Sequence, residues 1–179
     1  PEFQSIKLRS AYAGYAGVAA DQVLVVRGAD EGIELMIRAF CRPGVDRIVN
    51  VPPTYAMYYL TAAMFSVGVT DVPRDADFSV NVARLKEVDD CKLVFICSPN
   101  NPTGNALTRG ELVEILEHFR ERAIVVVDEA YIELCPDTSC ADLIDEYPNL
   151  AVIRTLSKAF GLAALRCGFL LCNLNVADV

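Results

Sequence analysis

This sequence predicts an α/β fold of three layers, with helices on both faces of a mostly parallel seven-stranded sheet whose last strand is antiparallel. Three observations carry that prediction. Short runs such as Val23-Leu24-Val25-Val26 and residues 93–97, 124–128 and 150–155 are apolar almost throughout, so both of their sides must be covered. Between them lie segments with helical spacing, including Ile33, Met36, Ile37 and Phe40, and then Leu112, Ile115, Leu116 and Phe119. Turn signals such as Pro43-Gly44 and Pro52-Pro53 separate the two kinds of segment.

In chain order, residues 4–15 read as a helix ending at Gly14 or Gly17. Residues 23–27 are a buried strand closed by Gly28-Ala29-Asp30-Glu31, and the helix that follows stops at Pro43-Gly44. Residues 47–51 form the next strand, and Tyr55 opens a helix of aromatic and small residues reaching about Val67. Residues 69–73 are a short, partly polar strand, and Leu85 and Val88 mark a short helix. After strand 93–97 comes the loop 98–104, then Thr108 with Glu111 three residues on, a capping box opening a helix to Arg122. Strands 124–128, 150–155 and 167–172 complete the set. The last runs antiparallel, because only about a dozen residues separate it from Thr155 and no crossover helix fits.

A chain of 179 residues, 53% apolar and 22% charged, fits one globular domain with a sizeable core. Its net charge of −8 argues against nucleic acid or an anionic membrane as partner. The longest apolar stretch, 55–68, is interrupted by Thr61 and Ser66, and the first ten residues lack a signal-peptide core. Seven cysteines without a CxxC pair, and a single histidine at His118, argue against a metal site. Scattered thiols inside strand runs point to a reducing cytoplasm.

In such a sheet a ligand sits beyond the carboxyl ends of the strands, and four motifs fall there: after Arg27, after Cys97, at Asp128 and after Ile153. Gly28-Ala29-Asp30-Glu31 is either a tight turn with acidic first-turn residues or a helix N-terminus whose amides of Ala29 and Asp30 meet an anion. Tyr55 can stack on a flat ring or fill the core. Asn100-Asn101-Pro102-Thr103-Gly104 is a turn by composition, and its asparagines can also offer an amide to a ligand hydroxyl. Asp128, at the end of a buried strand, needs a cation or donor as partner, and a protonated ring nitrogen would supply one, with Tyr131 three residues on. Lys158 is either an ordinary surface cation or a desolvated amine able to form a Schiff base with a carbonyl cofactor. Thr155, Ser157 and Arg166 around it are suited to a phosphate and favour the second.

Taken together, SPNNPTG, VVVDEAY and RTLSKAFG with a downstream RCGF resemble the fold-type I aminotransferases that depend on pyridoxal 5′-phosphate. Within that group RGADEGIELMIRAF, PPTYAMY and TLSKAFGLAALRCGF are most similar to the histidinol-phosphate aminotransferases. The resemblance implies that Lys158 bonds the cofactor's aldehyde, Asp128 pairs with the pyridine nitrogen, Asn101 and Tyr131 share the phenolic oxygen, and Tyr55 stacks on the ring. It assigns the phosphate to the amides of Ala29 and Asp30 with Thr155, Ser157 and Arg166. It implies transfer of an amino group from L-histidinol phosphate to 2-oxoglutarate, in a cytoplasmic homodimer. An aromatic-amino-acid aminotransferase, an amino-acid phosphate decarboxylase and a cofactor-binding module without chemistry are the alternatives. The chain departs from the family's usual GLAGLR by one methyl, at Ala164. The family also carries an N-terminal tyrosine arm and a C-terminal domain with substrate-binding arginines, so residues 1–179 are expected to be the large, cofactor-binding domain alone.

Overall fold

The computed structural model describes residues 4–173 and 176. One seven-stranded sheet holds β1 (Val23–Val26), β2 (Arg47–Asn50), β3 (Gly68–Asp71), β4 (Leu93–Cys97), β5 (Ile124–Asp128), β6 (Leu150–Thr155) and β7 (Gly168–Cys172). Their order across the sheet is β1-β7-β6-β5-β4-β2-β3. Strand β7 is antiparallel to both of its neighbours, β1 and β6, while every other pairing is parallel. This is the predicted architecture, including the reversed last strand.

Helices cover both faces. Successive residues of β4 alternate between two apolar cores, Val94 and Ile96 in one, Leu93, Phe95 and Cys97 in the other. The second core takes α2 (Ala29–Phe40) and α3 (Met57–Met64), whose Ile33, Met36, Ile37, Tyr58 and Ala62 are buried against Ile48, Val126 and Ile153. The first takes α1 (Ile6–Ala16) and α5 (Arg109–Phe119), with α4 (Val82–Leu85) a single turn. Leu112, Ile115, Leu116 and Phe119 of α5 are buried, as their spacing predicts, and each such side chain stabilises by about 1.5–3 kcal/mol. The capping box forms: Thr108 accepts from the Glu111 amide, and Glu111 accepts from the Thr108 amide at 2.8 Å.

Helix α3 is shorter than its composition suggests. Tyr55 stays outside the first turn, and Ser66 at φ 57° ends the helix with the Val67 amide donating back to the Ala62 carbonyl at 2.8 Å. Apolar residues on both sides of this closure gave the sequence no visible stop. No helix among the described residues is long and apolar enough to cross a membrane.

Because β7 is reversed, its first residue lies at the edge where the parallel strands end. Gly168 faces Val26 of β1 and Thr155 of β6. A Cβ there would lie 2.8 Å from both the Arg154 carbonyl oxygen and the Gly28 carbonyl carbon. These are backbone atoms of the two segments that flank the carboxyl edge, so neither can yield cheaply. Gly168→Ala is therefore expected to lower stability by about 1–3 kcal/mol through overpacking, read as a lower urea midpoint with an unchanged slope.

Candidate functional site at the carboxyl edge

Every residue singled out from the sequence lines one cleft: Ala29, Asp30, Tyr55, Asn101, Asp128, Tyr131, Thr155, Ser157, Lys158 and Arg166, joined by Cys97 and Ala130. The cleft is open to solvent on one side, with polar and apolar groups both lining it. The register explains the convergence. Cys97 ends β4 directly beside Asp128 at the end of β5, and Asp128 faces Ile153 on β6, two residues before Thr155. Cys97 was detectable in principle, since it is the last residue of a strand adjacent to Asp128.

At the floor, Asp128 is 2% exposed. Its Oδ2 accepts from the Tyr58 hydroxyl at 2.6 Å and its Oδ1 from the Ala130 amide at 3.0 Å. Burial pushes this carboxyl's pKa above the ordinary range, while the two hydrogen bonds oppose the shift. A carboxylate accepts about four hydrogen bonds, so acceptor capacity remains toward the cleft. Tyr58 was not identified from the sequence. Next to it in the chain stands Tyr59, 51% exposed, and only the phase of α3 tells the two apart.

One residue past the floor, Glu129 and Arg154 form a buried ion pair with Arg154 Nε donating to Glu129 Oε2 at 2.8 Å. Arg154 also donates to Ser139 Oγ at 2.7 Å, and Glu129 Oε1 accepts the Cys140 amide at 2.7 Å. The pair ties β5 to β6 just below the cleft. Removing either partner would strand a buried charge.

The two asparagines have separate fates. Asn100 is buried and spends its amide on Pro53 O at 3.0 Å and Thr103 Oγ1 at 2.8 Å, while its oxygen accepts from Thr54 Oγ1 at 2.8 Å. It staples two loops together. Asn101 is left facing the cleft.

At one end is a corner suited to an anion. No side chain caps α2, so its first-turn amides start at Ala29 with the positive end of the helix dipole. Gly28 precedes it at φ +90°, and the Arg166 guanidinium lies so close that a Cβ on Gly28 would meet Nη2 at 2.9 Å. Arg166 Nη2 donates to the Arg27 carbonyl at 3.2 Å and lies 3.8 Å from Asp30 Oδ2. Thr155 Oγ1 accepts from the Ser157 amide at 3.1 Å and donates to Ser157 Oγ at 3.0 Å. The Asp30 carboxylate also accepts from the Tyr55 hydroxyl at 3.0 Å, and burial together with Asp30 pushes that phenol up to about 12.

Lys158 differs from one expectation. Its amine is exposed rather than desolvated, and Nζ rests 5.5 Å from the centroid of the Tyr131 ring. The physical reason is its place in the loop between β6 and β7, which stands clear of the sheet with residues 158–166 exposed. Among the described residues no group of three or more His, Cys, Asp or Glu could hold a metal ion. An anion corner, a buried acceptor at the floor and a primary amine at the mouth together fit a planar carbonyl compound with a ring nitrogen and an anionic tail.

The raised pKa of Asp128 has a thermodynamic consequence in the ligand-free chain. A carboxyl that binds its proton more tightly when folded loses stability as pH rises from its unfolded pKa to its folded one. Asp128→Asn removes that loss. Thermal unfolding across a pH series is expected to show the variant more stable than the unsubstituted chain above that window, with the difference closing toward acid pH.

The sequence model of the aminotransferase class I and II family matches residues 1–179. A histidinol-phosphate aminotransferase of Vibrio campbellii is 55% identical over 179 residues, covering 99% of this chain and 52% of that protein. One from Yersinia enterocolitica is 53% identical, covering 100% of this chain and 48% of its own length. The chain thus spans about half the length of the curated relatives it matches. Among solved structures, a histidinol-phosphate aminotransferase from Clostridium acetobutylicum superposes with a TM-score of 0.88 at 26% identity, over 99% of this chain and 54% of that one. One from Sinorhizobium meliloti, solved in complex with pyridoxal-5′-phosphate, gives 0.86 at 25%, over 96% and 48%. With the family's sequence model matching residues 1–179, this chain belongs to the aminotransferase class I and II family.

Proposed function

We propose that this chain is the large, cofactor-binding domain of a longer pyridoxal 5′-phosphate-dependent enzyme that transfers an amino group from L-histidinol phosphate to 2-oxoglutarate, giving imidazole acetol phosphate and glutamate in histidine biosynthesis. The observation that carries the reading is the meeting of Lys158, Asp128 and the anion corner in one cleft. Identity of 53–55% to histidinol-phosphate aminotransferases supports the choice of substrate within the family.

When bound, the cofactor supplies an electron sink for the substrate carbanion. The chain's residues would do the rest. The amides of Ala29 and Asp30, with Thr155, Ser157 and Arg166, hold the phosphate. Tyr55 covers the ring, Asn101 and Tyr131 hold its phenolic oxygen, and Asp128 keeps its nitrogen protonated. Lys158 would hold the aldehyde carbon through its amine, and as a free amine it would move a proton at the substrate Cα. A homodimer is the proposed assembly and the cytoplasm the proposed compartment, the latter in keeping with seven unpaired thiols.

Borohydride reduction of the cofactor-loaded complete protein, followed by peptide mass spectrometry, is expected to place the adduct on Lys158 alone. Lys158→Ala is expected to abolish the adduct and lower turnover at least about 1000-fold, within the range of lost nucleophilic and acid–base catalysis. An adduct elsewhere refutes the assignment. The 179-residue chain by itself is expected to form the adduct but turn over at least about 100-fold more slowly than the complete protein, because substrate alignment needs a fixed clamp on its carboxylate.

A further inference from the structure

The hydroxyl of Tyr58 sits in the dry core, yet it is aimed at the one carboxylate on the cleft floor. Tyr58 and Asp128 are 0% and 2% exposed, and the hydrogen bond between them is 2.6 Å. The donor has little freedom to leave. Its ring stacks on Phe95 at 5.0 Å and 14°, and meets the edge of Tyr55 at 5.8 Å and 82°. Burial holds the phenol's own pKa well above its ordinary value, so the group stays a donor.

We infer that Tyr58 is a positioning residue: its hydroxyl holds Asp128 ionised and in a fixed orientation, so that the proton shared with the cofactor's ring nitrogen stays on the ring. This rests on the cofactor reading given above. A carboxylate and a protonated ring nitrogen facing each other away from water can relax to the neutral pair by passing the proton to the carboxyl. Burial favours that transfer, and so do the negative charges of Asp30 and Glu129, both of which raise the affinity of Asp128 for a proton. Two donors oppose it, the Ala130 amide on Oδ1 and Tyr58 on Oδ2. The amide is backbone and cannot be varied, which leaves Tyr58 as the adjustable group. Tyr55, just before α3, and Tyr58, in its first turn, thus have separate tasks, one at the cleft and one beneath it.

The test uses the complete protein that contains this chain, loaded with cofactor labelled with ¹⁵N in the ring. Tyr58→Phe is expected to move the nitrogen signal toward unprotonated pyridine. It is also expected to slow the single-turnover amino transfer by about 10- to 100-fold, the loss of one hydrogen bond to a charged group. With a cofactor analogue carrying C–H in place of the ring nitrogen, the same substitution is expected to change the rate less than about threefold. Tyr58→4-aminophenylalanine keeps a weaker donor in the same volume and is expected to give an intermediate signal and rate, which covers the case in which Tyr58→Phe does not fold. An unmoved nitrogen signal in both variants, or equal slowing with both cofactors, overturns the inference and makes Tyr58 a packing residue. Failure of the unsubstituted protein to form the Lys158 adduct would instead overturn the cofactor reading itself.

Discussion

Close packing at Gly168 is the constraint on which the site depends. Where β7 turns back between β1 and β6, its first residue leaves no room for a side chain against Arg154 O and the backbone of Gly28. Three segments distant in sequence are therefore in backbone contact at the carboxyl edge. The contact places the start of α2, the end of β6 and Arg166, two residues before Gly168, around one corner. An anion site assembled from a helix N-terminus, two hydroxyls and a guanidinium needs that proximity, because each contribution decays within a few ångströms.

Asp128 shows the opposite kind of design, in which a feature useful for binding weakens the fold. A carboxylate at the end of a parallel strand has lost its water, and two hydrogen bonds only partly replace it. The neighbouring acid is treated differently. Glu129, one residue on, is matched by Arg154 and capped by the Cys140 amide. Glu129, just past the end of β5, turns to the side opposite Asp128, so the compensated charge lies among structural groups and the undercompensated one faces the cleft. That difference separates a structural ion pair from a carboxylate left facing the cleft.

Much of the fold was legible because parallel strands covered on both faces must be apolar on both sides, which leaves short unbroken runs in the sequence. Loop length alone fixed the direction of β7. The ends of α3 were not legible, since Tyr55 and Phe65 are as helix-compatible as the residues between them, and the closure rests on Ser66 taking a left-handed conformation. Of the site, the residues at strand ends were legible because strand ends share an edge. The exposure of Lys158 was not, because a loop's distance from the sheet is not written in its composition.

The sequence by itself determined the alternation of strand and helix, the reversal of the last strand and the set of chemical groups gathered at one edge. These follow from local periodicity and from loops too short to allow another path. Tertiary structure alone decided which of two adjacent tyrosines meets Asp128, and it shows why Asn101 rather than Asn100 faces the cleft. Asn100 and Tyr59 are the same residue types as Asn101 and Tyr58, yet one is tied into a loop staple and the other points to solvent. A rotation of about 100° per helical residue, and the packing that sets its phase, separates a hydroxyl buried on Asp128 from one in water.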